Sequence, residues 1–465
     1  MQHIKFGTDG WRAIIADDYT LANVRRVARA TALWMQQNKH DKAVIGYDCR
    51  FGGKMFSEEA ARVLCTAGIR VFLCPDFAST PMVSLGVVRL QAGLGIVITA
   101  SHNPPSYNGF KLKSALGGPM TPTQIAEVEA LIPEKYEEEM KPLSAFRQMG
   151  LLEEVNLEDF YVAHVQKHFD LEAIRGSFIR LAYDAMYGAG QRVVPRLFPE
   201  ASLLHCEYNP SFHGQAPEPI ERNLEELSTL IRSNPDLNCG LANDGDADRI
   251  GMFDEEGAFV DSHRILLLLL LYKAGYQKQK GKVAITFSVT DKMKRLAEHF
   301  GLPYEVTPIG FKYTAEIMAR EKVLVGGEES GGIAVAGHIP ERDGVWIGLE
   351  LLSFMAETGK TLRQLLEEVY EIVGPFAYDR YDLHVTDALK EEVMARCAAG
   401  SYLTFGPYRI TKTEDIDGYK FYFDEERWVM IRPSGTEPVL RVYAQAPTRE
   451  EVRNILEKVS AALQA

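Results

Sequence analysis

The sequence predicts an α/β protein built from several domains. Short apolar runs that end in polar loops alternate with helical stretches, which is typical of mostly parallel sheets covered by helices on both faces. The chain of 465 residues is also longer than one hydrophobic core usually serves. This length predicts three or four domains. Because the alternation stops near residue 376, we expect the last domain to be of a different type.

The order of these patterns places four domains along the chain. Residues 1–150 carry strands at 42–47, 70–74 and 94–98 and a helix at 57–67. Residues 151–253 carry a strand at 179–183 and a helix from Gln191. Residues 254–374 carry helices at 262–273 and from Thr361, with strands at 282–287 and 323–325. In residues 375–465 strands come first and a helix at 449–462 closes the chain, which is an α+β pattern.

The composition argues against several classes of partner. With 51 Lys and Arg against 64 Asp and Glu the net charge is −13, whereas nucleic acid would require a basic face. The six cysteines form no C-x-x-C pair, which predicts a reducing, cytoplasmic environment. Residues 1–12 lack a signal-peptide pattern, and the longest apolar stretch, 265–272, is too short to cross a bilayer. We therefore expect contact with neither nucleic acid nor membrane.

An acidic loop is the clearest candidate metal site. Asp244, Asp246 and Asp248 lie between two apolar runs. On a helix, side chains two residues apart point about 200° away from each other, whereas in a turn between strands the three can converge. Three such carboxylates would repel one another without a cation, and oxygen ligands suit Mg²⁺. An EF-hand is disfavoured because Arg249 stands where that loop needs glycine.

A second polar loop, residues 99–104, follows the predicted strand 94–98. It places Ser101 where ligand crevices of open α/β sheets lie. Taken alone, Ser101 is a nucleophile, a phosphate carrier or a turn residue, and Ser-x-Asn-Pro stretches most often form turns. Taken alone, His102 is more often a hydrogen-bonded loop residue than a base. Lys111 alone is more often a solvated lysine on a strand than a catalytic residue.

Two glycine-containing loops lie farther along the chain. Residues 326–332 follow a predicted strand and carry carboxylates and a hydroxyl, which accept hydrogen bonds from sugar hydroxyls. A polar turn at 337–344 adds His338. Residues 432–438 combine an arginine, two hydroxyls and backbone N–H groups freed by glycine, which suits a phosphate. As single motifs, both loops are also consistent with plain glycine turns.

Together, the four loops resemble those of the α-D-phosphohexomutase superfamily in their order and spacing. The N-terminal signature of that superfamily also resembles residues 6–12, which read FGTDGWR, so the resemblance covers essentially the whole chain. It implies four domains around a central cleft, three similar αβ domains and a smaller C-terminal α+β domain. The implied activity is an isomerase reaction, an intramolecular phosphotransfer between hexose 1-phosphate and hexose 6-phosphate.

The resemblance also implies a role for each motif. A phosphorylated Ser101 would supply the fourth Mg²⁺ ligand beside Asp244, Asp246 and Asp248, and a hexose 1,6-bisphosphate would be intermediate and activator. The residues assigned to catalysis are Ser101, Lys111, Arg12 and His102. Those assigned to the sugar are Gly327, Glu328, Ser330, His338, Arg249 and Lys312. Those assigned to the second phosphate are Arg432, Ser434, Gly435 and Thr436.

The preferred hexose is ranked from smaller features. Gly332 stands where bacterial dual-specificity phosphomannomutases carry a histidine, and the form of residues 328–330 is more similar to phosphoglucomutases. Glucosamine-specific members usually show glutamine in the middle of that motif and isoleucine where Trp11 stands. We rank glucose first, mannose second and glucosamine third. A phosphatase with an aspartate nucleophile and a non-catalytic sugar-phosphate-binding protein stay open as other functions, and we expect a monomer or a homodimer.

Overall fold

The computed structural model describes residues 4–7, 9–434 and 439–464. Its contacts divide the chain into two compact units, the larger of residues 1–284 and 310–367, the smaller of residues 285–309 and 368–465. This division does not follow the four predicted domains, whose boundaries stay a prediction. Among the described residues, every helix is too short or too polar to reach across a bilayer.

A six-stranded sheet forms the N-terminal part of the larger unit. Its strands are β1 (Trp11–Ile14), β2 (Lys42–Tyr47), β3 (Arg70–Leu73), β4 (Leu94–Ile98), β5 (Tyr107–Ser114) and β6 (Leu152–Glu154). They lie in the order β1-β5-β4-β2-β3-β6, and β2 pairs in parallel with both β3 and β4. The helices are α1 (Leu21–Gln37), α2 (Gly53–Thr66), α3 (Thr80–Arg89), α4 (Pro122–Ala130) and α5 (Leu143–Gln148). Strand β4, which pairs in parallel with β2 and antiparallel with β5, is buried along its whole length, as expected for a central strand of a sheet covered on both faces.

A five-stranded sheet follows in the order β11-β10-β9-β7-β8. Its strands are β7 (Leu181–Asp184), β8 (Ser202–Leu204), β9 (Cys239–Asn243), β10 (Ile250–Phe253) and β11 (Phe259–Val260). The accompanying helices are α6 (Leu157–His168), α7 (Leu171–Gly176), α8 (Val193–Leu197) and α9 (Glu225–Ser233). Because β9 and β10 are antiparallel neighbours, the acidic loop is the turn between two strands, as the sequence predicts.

The next stretch holds the predicted glycine loop. In chain order its elements are α10 (Ser262–Leu270), a π-helical stretch (Leu271–Tyr276), β12 (Lys282–Thr286), α11 (Lys292–His299), β13 (Tyr304–Thr307), α12 (Phe311–Met318), β14 (Val323–Gly327), β15 (Ile333–Val335), α13 (Gly344–Thr358) and α14 (Leu362–Val373). Strands β14 and β15 pair antiparallel. The glycine loop is therefore the turn of a hairpin.

The smaller unit ends in an α+β region. Its elements are β16 (Ala377–His384), α15 (Asp387–Ala398), β17 (Thr404–Phe405), β18 (Tyr408–Arg409), β19 (Lys412–Glu414), β20 (Tyr419–Tyr422), β21 (Trp428–Pro433), β22 (Val439–Ala446) and α16 (Arg449–Gln464). Five of these strands form an antiparallel sheet in the order β16-β22-β21-β20-β19. Helix α16 packs its apolar face, including Ile455 and Val459, into the core of this region.

Candidate active site

Three loops of the larger unit lie side by side. They are the serine loop (99–104, after β4), the metal loop (244–249, between β9 and β10) and the sugar loop (328–332, between β14 and β15). The N–H of Ile250 donates to the carbonyl of Gly331 (3.2 Å), which joins the metal loop to the sugar loop. A Cβ on Gly245 would lie 2.5 Å from the carbonyl oxygen of Ser101, so glycine is required for the close approach of the metal loop to the serine loop.

Ser101 is held in an uncommon conformation. Its φ of +52° lies in the left-handed region, which residues other than glycine seldom adopt, and its N–H donates to the Thr99 hydroxyl (2.8 Å). The buried Ser101 hydroxyl donates to Oδ2 of Asp244 (2.7 Å) and lies 3.4 Å from Nδ1 of His102. Backbone strain of this kind clusters at functional sites. A plain turn residue needs neither the strain nor the carboxylate partner.

The three aspartates of the metal loop are fully buried. Oxygen atoms from Asp244, Asp246 and Asp248 all lie within 4.8 Å of one another. Burial and the charges of its two neighbours raise the pKa of Asp244 well above its usual value. Oδ1 of Asp246 and Oδ1 of Asp248 find no hydrogen-bond partner among the described residues. Buried carboxylate oxygens without partners are costly, so this donor set fits a hard divalent cation.

The other oxygen of two of these carboxylates is already held. Nζ of Lys111 donates to Oδ2 of Asp246 (2.8 Å) and to Oδ2 of Asp248 (3.1 Å), and the Thr80 hydroxyl also donates to Asp246. Burial alone would lower the pKa of Lys111, but Asp246, Asp248 and Asp9 raise it above its usual value. Lys111 is therefore a fixed positive charge, and its contacts orient the carboxylates so that one oxygen of each is left for a cation.

Further predicted residues surround the serine. Nη1 of Arg12 donates to the Asn103 side chain of the serine loop (2.7 Å). Burial, with Arg249 and Arg12 nearby, holds the pKa of His102 well below its usual value, so the imidazole next to Ser101 is neutral. The backbone N–H of Arg249 donates to Asp244 (3.0 Å). The structure thus brings the Arg12 side chain to the serine loop and joins Arg249 to Asp244 within the metal loop.

The predicted sugar residues differ in their surroundings. Glu328 is buried, and burial raises its pKa to about 7. Ser330 is half-buried, whereas Gly327 is the last residue of β14 and pairs with Ile333. Lys312 lines a cavity of about 150 Å³ together with residues of the N-terminal signature. Of this group, Glu328 has the clearest surroundings for binding a polar ligand.

His338 is placed differently from the sequence-based assignment to the sugar. Its side chain is 2% exposed, and Nε2 contacts Oδ2 of Asp343 (2.9 Å). Nδ1 lies 3.3 Å from Nε2 of His164, and the ring stacks on Trp346 at 3.9 Å. Both ring nitrogens are thus engaged inside the protein, which leaves neither for a sugar hydroxyl. This geometry does not support a sugar contact for His338, and the ring instead packs α6 against α13.

The predicted phosphate residues belong to the smaller unit. Nε of Arg432 donates to Oδ1 of Asp417 (2.9 Å), and the N–H of Ser434 donates to the carbonyl of Val439 (2.8 Å). Gly435 and Thr436 lie outside the described residues. Of the four residues predicted to bind the second phosphate, the structure therefore describes the contacts of Arg432 and Ser434.

Two residues of the site were missed by the sequence reasoning. Oδ2 of Asp9 lies 2.9 Å from Nζ of Lys111. Burial alone would raise the pKa of Asp9, but the positive charges of Lys111, Lys113 and Arg342 hold it well below its usual value. Arg342 contacts Asp9, Asp248 and Glu328. The FGTDGWR stretch contains Asp9, so the N-terminal signature could have indicated this residue. No sequence pattern around Arg342 distinguishes it from the other polar residues of its turn.

Phosphoryl transfer depends on positioning and on neutralising the charge of the phosphoryl oxygens. A strained serine beside a buried carboxylate cluster that fits a cation, with Lys111 and Arg12 nearby, meets both requirements. The fold and site thus define a phosphotransferase.

Comparison with known proteins narrows this class. Family models described as phosphoglucomutase/phosphomannomutase alpha/beta/alpha domains I, II and III match residues 3–139, 159–257 and 261–373, and the C-terminal domain of the same family matches residues 385–462. The chain therefore belongs to the phosphoglucomutase/phosphomannomutase family, whose members are metal-dependent phosphotransferase isomerases. The predicted family, the enzyme class and the fold of three αβ domains with a distinct C-terminal domain are confirmed.

Individual relatives cover nearly the whole chain. A phosphoglucosamine mutase of Moorella thermoacetica is 30% identical over 467 residues, with 97% of each chain covered. A phosphoglucomutase/phosphomannomutase of Thermococcus kodakarensis is 28% identical, with 97% of this chain and 96% of the relative covered. A crystal structure from Thermus thermophilus, named provisionally as a phosphomannomutase, is 32% identical with a TM-score of 0.88 and full coverage of both chains. The relatives differ in the hexose that their names specify.

Proposed function

We propose that this protein interconverts hexose 1-phosphate and hexose 6-phosphate through a phosphorylated Ser101 and a hexose 1,6-bisphosphate intermediate. The observation that carries the proposal is the buried Ser101 hydroxyl, hydrogen-bonded at 2.7 Å to a carboxylate of the metal loop. Placed there, a phosphoryl group on Ser101 adds its oxygens to the carboxylate oxygens available to a cation. An aspartate nucleophile is less well supported, because both oxygens of Asp244 accept hydrogen bonds and the free Oδ1 atoms of Asp246 and Asp248 are the ones assigned to the cation.

Asp244, Asp246 and Asp248 would hold Mg²⁺ together with a phosphoryl oxygen on Ser101. When bound, Mg²⁺ would neutralise negative charge on the transferring phosphoryl group. The unpartnered Oδ1 atoms of Asp246 and Asp248 support this ligand set among the residues that the structure describes.

In the forward step the P–Oγ bond of phosphoserine breaks, and a new P–O bond forms to a hydroxyl of the hexose phosphate. The proton of that hydroxyl ends on Oγ of Ser101. Neutral His102, with Nδ1 3.4 Å from Oγ, lies where it can pass this proton. Lys111 and Arg12 supply fixed positive charge, and Lys111 is held as a cation by three carboxylates.

The bisphosphate then returns its other phosphate to Ser101 after reorientation. We assign Arg432, Ser434, Gly435 and Thr436 to the phosphate that is not reacting, because one such site can hold either phosphate in turn. Glu328 and Ser330, with Arg249 and Lys312, are the proposed contacts of the hexose.

The hexose is tested by comparing rates on glucose, mannose and glucosamine 1-phosphates, each with Mg²⁺ and a trace of the matching bisphosphate. With Glu329 between Glu328 and Ser330, the motif is more similar to phosphoglucomutases, so we expect the highest kcat/KM for glucose 1-phosphate. A control lacking bisphosphate should show a lag or no turnover. A higher kcat/KM for glucosamine 1-phosphate would reverse the ranking within the family, and release of inorganic phosphate without isomerisation would contradict the mutase itself.

The pH dependence should report on Glu328. The ionised carboxylate accepts hydrogen bonds from sugar hydroxyls better than the protonated form, and burial raises its pKa to about 7. Because the charged form lies above this pKa, kcat/KM should rise about tenfold between about pH 6 and pH 8. Glu328→Gln should lower kcat/KM and flatten this rise. The substrate phosphate titrates equally in both enzymes, so an unchanged slope in Glu328→Gln would assign the rise to the substrate.

A further inference from the structure

We propose that Arg342 is a positioning residue that fixes the sugar loop against the metal loop; this inference rests on the function proposed above. Arg342 follows β15 in the polar turn before α13 and is not one of the residues assigned from motifs. Its side chain is 6% exposed. A buried guanidinium is stable only where it is paired and hydrogen-bonded, so its partners show what it holds.

The guanidinium joins three carboxylates from three separate segments. Nη2 donates to Oδ2 of Asp248 in the metal loop (2.7 Å) and to Asp9 of the N-terminal signature. Nη1 donates to Oε2 of Glu328 in the sugar loop (3.3 Å). The planar fork of arginine reaches several acceptors in fixed directions, whereas the ammonium of lysine is a single point charge. One side chain therefore sets the position of a proposed metal ligand relative to a proposed sugar contact.

The absence of a side chain at Gly332 leaves the space that the Arg342 side chain occupies. A Cβ at Gly332 would lie 2.3 Å from Cδ of Arg342 and 3.1 Å from Oε2 of Glu328. The φ of Gly332 lies outside the left-handed region, so only the missing space excludes a larger residue here. Gly332 and Arg342 are thus a matched pair, and the backbone bridge between Arg249 and Gly332 brings the metal loop to the same point.

The contact with Asp248 has a directional consequence. Arg342 and Lys111 both donate to Oδ2 of Asp248, while Oδ1 stays unpartnered within the described part of the chain. The arginine thus presents Oδ1 to the cation site. In the same part of the chain, Nε of Arg342 is a buried donor without an acceptor, so the contacts of Arg342 with the two loops are made through Nη1 and Nη2.

The first test compares Arg342→Gln and Arg342→Lys with the wild-type enzyme. Misplacement of a substrate-binding group by about 1 Å costs about 10²-fold, so Arg342→Gln should lower kcat/KM by about 10²-fold, mostly through KM. Arg342→Lys should stay at least about tenfold impaired, because it keeps the charge and loses the bridging. Full activity in Arg342→Lys would overturn the proposal. Lys273→Gln is the matched control, since Lys273 is equally buried and pairs with Glu350 (2.7 Å) outside the site.

The pH profile separates positioning from a general loss of stability. Glu328 is also faced by Glu329, Arg249 and Asp9, of which only Arg249 is positive. Without Arg342 the midpoint of kcat/KM should move to higher pH, because a positive neighbour of Glu328 is lost. Lys273→Gln should leave this midpoint in place. An unmoved midpoint in Arg342→Gln would contradict the contact with Glu328.

A double-mutant cycle tests the matched pair. Gly332→Ala should displace the Arg342 side chain and reproduce most of the loss seen in Arg342→Gln. The double variant should be no worse than Arg342→Gln alone, since residues in contact give non-additive effects. Additive losses would show that Gly332 acts independently and would overturn the matched pair.

Cation binding gives a readout that needs no turnover. Calorimetric titration with Mg²⁺ should show about tenfold weaker binding to Arg342→Gln, because loss of a residue that orients a metal ligand typically costs about 10- to 100-fold in affinity. Removing a positive charge without any positioning role would instead tighten binding, and unchanged or tighter binding would overturn the proposal. A wild-type chain that binds Mg²⁺ but turns over no hexose phosphate would overturn the proposed function separately.

Discussion

Replacing Ser101 with alanine is expected to lower kcat of hexose phosphate isomerisation by at least about 10³-fold, because the variant lacks the oxygen that carries the phosphoryl group. The fold should survive, since the hydroxyl contacts only Asp244 and, at 3.4 Å, His102 among the described residues, and the N–H of Ser101 keeps its bond to Thr99. The measurement is conversion of glucose 1-phosphate to glucose 6-phosphate with Mg²⁺ and a trace of glucose 1,6-bisphosphate.

Intact-mass analysis complements this assay. After incubation with glucose 1,6-bisphosphate, the wild-type protein should gain one phosphoryl group on Ser101, and Ser101→Ala should gain none. Ser228→Ala is the control, because the Ser228 hydroxyl is also buried and donates to a backbone carbonyl, that of Gly257 (2.6 Å), away from the serine loop. An active Ser101→Ala enzyme that releases inorganic phosphate would instead support an aspartate nucleophile.

The strands buried on both faces were predictable from the sequence. The apolar runs 42–47 and 94–98 have the same bounds as β2 and β4, because a central strand of a sheet covered on both faces is apolar along its length and polar loops mark its ends. Helix ends were less predictable. The helix expected at 57–67 begins at Gly53, after Gly52 in a left-handed conformation that offers no side-chain cap to signal the start.

The π-helical stretch after α10 could not be predicted. Residues 262–273 are expected as one helix, but beyond Leu270 the backbone changes its hydrogen-bond pattern over Leu271–Tyr276. The segment is buried almost throughout, so its side chains show no polar face from which a change of period can be read.

Some residues of the candidate site could likewise be predicted from the sequence, and others could not. Ser101 and the three aspartates could be predicted as site residues because each motif is contiguous in the chain. Arg342 was missed because its partners come from three distant segments, and no local pattern encodes that convergence. His338 was assigned to the sugar because spacing alone cannot show that both its ring nitrogens are already engaged.

Asp244→Asn is expected to separate cation binding from folding stability. The kcat of the variant should fall at least about 10²-fold, because one of the three carboxylates proposed to bind Mg²⁺ loses its charge. In the metal-free state it should be at least as stable as the wild-type protein, because Asp244 is a buried carboxylate beside the charges of Asp246 and Asp248. The isomerase assay measures the loss of kcat, and thermal unfolding with EDTA and with Mg²⁺ measures the stability of the metal-free and metal-bound states.

Mg²⁺ should raise the Tm of the wild-type protein, since a ligand present at about 100 times its Kd stabilises the folded state by about 2.7 kcal/mol. This increase should be absent in Asp244→Asn, and EDTA should inactivate the wild-type enzyme. Asp254→Asn is the control, because Asp254 is a mostly buried carboxylate that accepts backbone N–H groups and lies outside the metal loop. If Mg²⁺ stabilised Asp244→Asn as much as the wild-type protein, the cation would bind elsewhere. The carboxylate to which Ser101 hydrogen-bonds in the wild-type protein would then not be a ligand of the catalytic cation.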